Sequence, residues 1–278
     1  MDRERTDAWL EGYRRAWEQA DTPAVLELFT PDAIYRSHPL HPAHTGHDGV
    51  ADYWNQATAS QRDVRVRFGD AIVDGDRVAA EWWTLMHAGG TPVTLVGCLL
   101  LSFAADGRCQ ALRECWNLTE ALVDPPPDWG RLDLDASWDP AGPGVGDRAA
   151  EHARRWAERY EAAWRALDPE AAAALYAPDV HYRTEAFRDP HVGRGGVLDY
   201  TRGAYATEAD QDPHFGTPFA AGASAAVEWW TTGLEEGKPA TLIGTSFLTF
   251  TPDGLVATAR DYWFLEPGIH RPHDEWGR

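Results

Sequence analysis

Ala80-Glu81-Trp82-Trp83-Thr84 recurs 147 residues later as Val227-Glu228-Trp229-Trp230-Thr231, and the same offset carries the rest of the chain onto itself without a gap. Trp9 falls on Trp156, Tyr13 on Tyr160 and Trp17 on Trp164. Further on, Tyr35-Arg36 falls on Tyr182-Arg183, Asp52-Tyr53 on Asp199-Tyr200, and Arg113 and Trp116 on Arg260 and Trp263. Even Trp129-Gly130-Arg131 returns as Trp276-Gly277-Arg278. A copy of about 130 residues is long enough to bury its own core, so the repeat reads as two homologous domains rather than an open solenoid. The expected boundaries are 1–131 for the first domain, 132–147 for a linker rich in Asp, Pro and Gly, and 148–278 for the second.

Working outward from the Glu-Trp-Trp-Thr stretch, a period of two puts Ala80, Trp82, Thr84 and Met86 on one strand face and Glu81, Trp83 and Leu85 on the other. Around it, runs near 63–73, 92–104 and 108–119 also read as strands joined by Gly-containing turns, with a shorter strand over 33–36. Ahead of them, Trp9, Leu10, Tyr13, Ala16 and Trp17 keep helical spacing, a short helix follows from Pro23, and a third runs from about Asp48 to Ala59. Helices first and strands afterwards predict an α+β class: two tandem domains, each with three helices on a curved antiparallel sheet that encloses a pocket.

Composition narrows the partners. A formal net charge of -19 repels nucleic-acid phosphates and anionic lipid surfaces, so neither is expected as a partner. No apolar run is long enough for a membrane span, and the opening Met-Asp-Arg-Glu-Arg has charges where a signal peptide is apolar, so a cytoplasmic location is expected. Cys98, Cys109 and Cys115 lie in the first copy only, which argues against a disulfide framework and against a repeated metal site. The string His38, His41, His44, His47 also draws attention, but Pro39 and Pro42 interrupt any helix that would align the rings, and the second copy has Glu185, Arg188, His191 and Arg194 there. Neither a metal nor an organic cofactor is expected.

The element order, the Phe29-Thr30-Pro31-Asp32 segment before the first strand and the closing Arg113-x-x-Trp116 and Arg260-x-x-Trp263 resemble the SnoaL-like members of the nuclear-transport-factor-2-like superfamily. That resemblance covers both copies and implies cone-shaped domains around a mostly apolar pocket; it embraces polyketide cyclases, ketosteroid isomerases and limonene-epoxide hydrolases. Locally, Tyr35-x-Ser37 and Tyr182-x-Thr184 are similar to the Tyr-x-Asn by which the epoxide hydrolases hold water. Arg260-Asp261-Tyr262-Trp263 is similar to their last-strand Arg-Asp-Tyr-Phe, and Arg113-Glu114-Cys115-Trp116 keeps the carboxylate. Where those hydrolases need an Arg and a second Asp, the chain has Trp82 and Thr84, and Trp229 and Thr231. Polyketide cyclases place an Asp after the last-strand Trp, where Asn117 and Phe264 stand. Ketosteroid isomerases place one in the first-strand loop, nearest to His38 and Glu185.

Catalytic candidates are therefore Glu114 and Asp261, Tyr35 and Tyr182, and His38 and Glu185; an imidazole or carboxyl there could act as a general base. Ser37 and Thr184, Trp82 and Trp229, Thr84 and Thr231, Trp116 and Trp263, and the pocket-rim pair His44 and His191 are the candidate ligand contacts. The tryptophans, 14 in 278 residues, fit either core and interface packing or an aromatic box around a flat or cationic ligand, worth roughly 0.5–2 kcal/mol per good cation–π contact. Two functions follow. One is a cofactor-independent acid–base enzyme of isomerase, cyclase or hydratase/epoxide hydrolase type acting on a small apolar or aromatic oxygenated metabolite; the other is a non-catalytic ligand-binding or assembly protein. Because such domains commonly pair through the convex sheet face, a duplicated chain is expected to form an intramolecular pseudo-dimer and to remain a monomer.

Overall fold

The computed structural model describes residues 1–132, 145–274 and 276–278. The chain divides into two compact units, Met1–Arg131 and Leu132–Arg278. Most of the expected 132–147 linker lies outside the described residues, and a helix is already under way at Val145.

In the first unit, α1 (Arg3–Gln19) starts where the Asp2 carboxylate accepts from the Arg5 amide and stops where Ala20 turns left-handed. The inward stripe of Trp9, Leu10, Tyr13 and Ala16 is buried, which is why the helix forms despite the three large aromatics Trp9, Tyr13 and Trp17 within it. The short α2 (Thr22–Glu27) has the same start signal in both copies, an Asp cap followed by Pro: Asp21 accepts from Ala24 N, and Asp168 accepts from Ala171 N. Strand β1 (Phe29–Arg36), the two-residue β2 (His44–Thr45) and α3 (Gly46–Thr58) follow. The chain then runs through β3 (Gln61–Phe68), β4 (Ile72–Asp74), β5 (Arg77–Ala88), β6 (Thr91–Phe103) and β7 (Cys109–Thr119).

The second unit repeats this as α4 (Val145–Arg165), α5 (Pro169–Ala173), β8 (Tyr176–Arg183), β9 (His191–Val192) and α6 (Gly193–Tyr205). Its remaining strands are β10 (Glu208–Phe215), β11 (Phe219–Ala221), β12 (Ser224–Glu235), β13 (Lys238–Phe250) and β14 (Val256–Pro267).

Each sheet has seven strands, in the order β2-β1-β7-β6-β5-β3 with β4 also on β5, and equivalently in the second unit. The α+β class holds, with two corrections. The sheet is not wholly antiparallel, because β1 runs parallel to β7 and β8 parallel to β14. The expected single strand over 63–73 is two, β3 and β4: Gly69 N still donates to Glu81 O on β5, but the next amide, Asp70 N, turns to the unit's own tail.

That tail explains why Trp-Gly-Arg recurs. Asp70 N donates to Gly130 O at 2.7 Å, and Thr217 N donates to Gly277 O at 2.8 Å. The backbones approach so closely that a Cβ on Gly69 would lie 2.7 Å from Gly130 Cα, and one on Gly216 would lie 2.6 Å from Gly277 Cα. Both tail glycines also have positive φ. The preceding Trp129 packs edge-on against Trp83, whose indole N–H donates to Val123 O; Trp276 and Trp230 repeat the arrangement, with His270 O as acceptor. The Trp83 and Trp230 faces thus find partners inside their own units. Each unit keeps its own core, one centred on Trp9, Tyr13, Trp54 and Trp82 and the other on Trp156, Tyr160, Tyr182 and Trp229. Among the described residues no helix is long and apolar enough to cross a membrane.

Candidate functional site

The last strand of each unit delivers a carboxyl to the space under the first helix. Strand pairing sets Leu99 directly opposite Glu114 and, in the second unit, Ser246 opposite Asp261. Both carboxyls are buried among apolar groups. In the first unit Tyr35 donates to Glu114 Oε1 at 2.6 Å, Tyr13 reaches the same oxygen at 3.2 Å, and the two phenols are 2.7 Å apart. In the second, Tyr182 donates to Asp261 Oδ2 at 2.6 Å while Ser246 donates to Oδ1 at 2.7 Å. Burial disfavours the charged carboxylate and outweighs these donors, pushing Glu114 up to about 7 and Asp261 up to about 6. The same tyrosine-to-carboxyl contact, Tyr35 with Glu114 and Tyr182 with Asp261, thus recurs in both copies.

A second layer fixes the loop after the first strand. Trp116 donates its indole N–H to Ser37 O at 2.9 Å, and Trp263 donates to Thr184 O at 2.7 Å. The Ser37 and Thr184 hydroxyls lie 3.5 and 3.3 Å from His44 Nε2 and His191 Nε2. Those imidazoles pack on Tyr53 and Tyr200, each at 4.6 Å between ring centroids, and burial lowers their pKa, which favours the neutral ring. The recurring histidines thus pack on Tyr53 and Tyr200, and His191 is not among the residues that line the second unit's cavity.

The second unit holds a cavity of about 260 Å³. Asp261, Tyr182, Ser246, Trp229 and Trp263 line it together, and Glu185 stands at it with an exposed side chain 3.6 Å from Arg188. Trp229 reaches this wall because Gly244, its cross-strand neighbour, has no side chain: a Cβ there would lie 2.3 Å from the Trp229 ring. The indole lies over that gap, and its N–H donates to Ser246 Oγ at 3.0 Å.

Several expected residues are placed elsewhere. Thr231 is not among the cavity-lining residues; its hydroxyl donates to Gln211 Oε1 at 2.9 Å, on the neighbouring strand. Thr84 is likewise buried, and its hydroxyl has no hydrogen-bond partner. The contacts of His38 are local. Its ring stacks on His41 at 4.2 Å, and its Nδ1 accepts from Leu40 N. His47 bonds to Phe29 O, so the four histidines of the string serve three different local contacts.

Other site residues were not identified from pattern alone. Tyr13 looked like a core residue of a helical stripe, yet its phenol is on the carboxyl. Ser246 and Glu208 line the cavity where the first copy has Leu99 and Gln61, and Thr201 stands where Trp54 fills the first core, edge-on to Tyr13 at 5.2 Å. Leu99 supplies no hydroxyl, and the Trp82 indole N–H accordingly has no partner. The signal was available in the internal alignment, at positions where the copies differ in size or charge.

A SnoaL-like domain model matches residues 10–111 and again 157–259. The chain belongs to the SnoaL-like family. No curated protein matches its sequence. Among solved structures it is similar to a hypothetical protein of ketosteroid isomerase-like fold from Catenulispora acidiphila, in complex with trimethylamine, at 21% identity over 38% of this chain and 82% of that one, TM-score 0.36. It is also similar to SalBIII, an epoxide hydrolase/cyclase-like enzyme of pyran ring formation in salinomycin, at 19% identity over 43% and 96% of the two chains, TM-score 0.38. A third is a protein assigned as a scytalone dehydratase from Novosphingobium aromaticivorans, at 13% identity over 44% and 88%, TM-score 0.39. Each of these covers less than half of this SnoaL-like chain.

Proposed function

We propose that the second unit is a cofactor-independent acid–base enzyme of isomerase, cyclase or hydratase/epoxide hydrolase type, acting in the cytoplasm on a small, largely apolar oxygenated metabolite. One observation carries this reading: Asp261, pushed up to about 6, lies on the wall of an aromatic cavity with a phenol on one carboxyl oxygen and a hydroxyl on the other. Such a carboxyl is ionised at neutral pH yet basic enough to take a proton from an activated carbon or a bound water, which is the pKa match that general-base catalysis wants. Tyr182 and Ser246 hold the carboxylate in place, and Trp263 and Trp229 shape the space for the substrate. Returning the proton to a second position completes an isomerisation or ring closure; directing a water completes a hydration.

The test is turnover by the full chain on a panel of small epoxides, enones and hydroxy ketones, with products followed by NMR. Asp261→Asn keeps the shape of the site and removes the base, so kcat is expected to fall about 100-fold or more. Unchanged turnover in that variant refutes the assignment. A second reading, a container without chemistry, is favoured by Trp229 and Thr231 standing where an epoxide hydrolase has its Arg and second Asp. A ligand recovered unaltered after long incubation would support it.

A further inference from the structure

The cavity beside Asp261 has a wall the acid–base reading does not use. Glu208 lines it, accepting from the Trp164 indole N–H at 2.6 Å, and Glu235 is its cross-strand partner on β12. With Glu185 and Asp261 this makes four carboxyl residues around one cavity, and none of the lining residues is Lys, Arg or His. The rest of the lining is dominated by aromatic rings, nine in all. Tyr205, at the same wall, is nine-tenths buried, and its hydroxyl has no hydrogen-bond partner. Tyr160 lies near enough to influence its titration but makes no hydrogen bond of ordinary geometry with it.

The first unit is an internal control. At the positions of Glu185, Glu208 and Glu235 it has His38, Gln61 and Ala88, so three of the four carboxyls belong to the second copy alone. Gln61 accepts from Trp17 at 2.8 Å just as Glu208 accepts from Trp164, so the local fold does not require a charge there. A carboxyl held half-buried where an amide suffices, with no cation in its wall, lacks a counter-ion. Its pKa is pushed up to about 7, mainly by burial, as expected of a site waiting for positive charge.

We propose that the second-unit cavity takes a small organic cation, an amine or quaternary ammonium compound, with Glu208 as its counter-ion and the Trp164, Tyr205 and Trp229 rings as its cage. The aromatic faces attract the cation through their quadrupoles, and the negative cavity concentrates it. This rests on the proposed function only in using the same cavity, and it narrows the substrate to one that carries an amine as well as the reacting oxygen group. Trp164 connects the two ends: its N–H is on Glu208, and its ring lies 5.4 Å from Trp229, which reaches Asp261 through Ser246.

Binding of phenyltrimethylammonium and of its neutral isostere tert-butylbenzene to the full chain at pH 8, followed by tryptophan fluorescence, tests it. The cation is expected to bind about tenfold or more tightly than the isostere, and Glu208→Gln to remove that preference while leaving the isostere's affinity within about twofold. Glu235→Ala, which copies the first unit's Ala88, is expected to weaken the cation by a smaller factor. Equal affinities for the two probes, or a preference that survives Glu208→Gln, overturn the proposal. Because the readout is binding, it stands or falls independently of whether Asp261→Asn abolishes turnover.

Discussion

Glu114 and Asp261 occupy equivalent positions, and their partners differ by residues that only the folded chain brings near. The sequence marked both carboxyls and their tyrosines, since Tyr35 and Tyr182 recur at strand ends. It did not mark Ser246, because one hydroxyl in a β-strand is ordinary until its cross-strand neighbour is known. The raised pKa values have a consequence for stability. Asp261 moves from 3.8 to about 6 and Glu114 from 4.5 to about 7, so between roughly pH 4 and 7 the native state holds protons that the unfolded chain has lost. Stability from these groups is therefore greatest below that window and falls as pH rises through it, by at most about 3 kcal/mol each. Denaturant titrations across pH 4–8 should show Asp261→Asn combined with Glu114→Gln flattening this fall, with the variant gaining on the parent chiefly above pH 7. A slope unchanged by both substitutions would show that the carboxyls titrate normally.

Among the elements, the helices were the most legible, because Asp caps, Pro at the first turn and a buried aromatic stripe are local signals. Strands β5 to β7 were legible from their alternation and turns. The parallel pairing of β1 with β7 was not, because it joins residues some eighty positions apart with no local mark. Nor was the break between β3 and β4, which exists so that the tail can lie against Gly69. The recurring Trp-Gly-Arg tail gains its meaning here. Gly277→Ala is expected to lower stability by about 2 kcal/mol, since its φ of +75° disfavours a side chain and its backbone lies against Gly216. Gly222→Ala, at φ +60° with open space around it, should lose only about 1 kcal/mol. Thermal melts of the two variants compare them, and equal losses would mean that the close approach of the tail contributes nothing.

For the whole molecule, a net charge of -19 opposes association between copies of the chain. We propose a monomer in solution. Sedimentation equilibrium should return 30.9 kDa, and a stable mass of twice that value would refute it. The gapless repeat by itself determined that there are two homologous α+β units, where their aromatic stripes lie, and which tyrosine and carboxyl positions are held in common, because spacing and periodicity are written along the chain. Only the tertiary structure decided that Thr231 turns to Gln211 while the Thr84 hydroxyl is buried without a partner, that the histidine string disperses, and that Glu208, Ser246 and Thr201 line one cavity with Asp261. These are meetings of side chains from different strands and helices. Their distances depend on strand register, on the bare backbone of Gly244 and on the volume of one side chain at the position shared by Trp54 and Thr201.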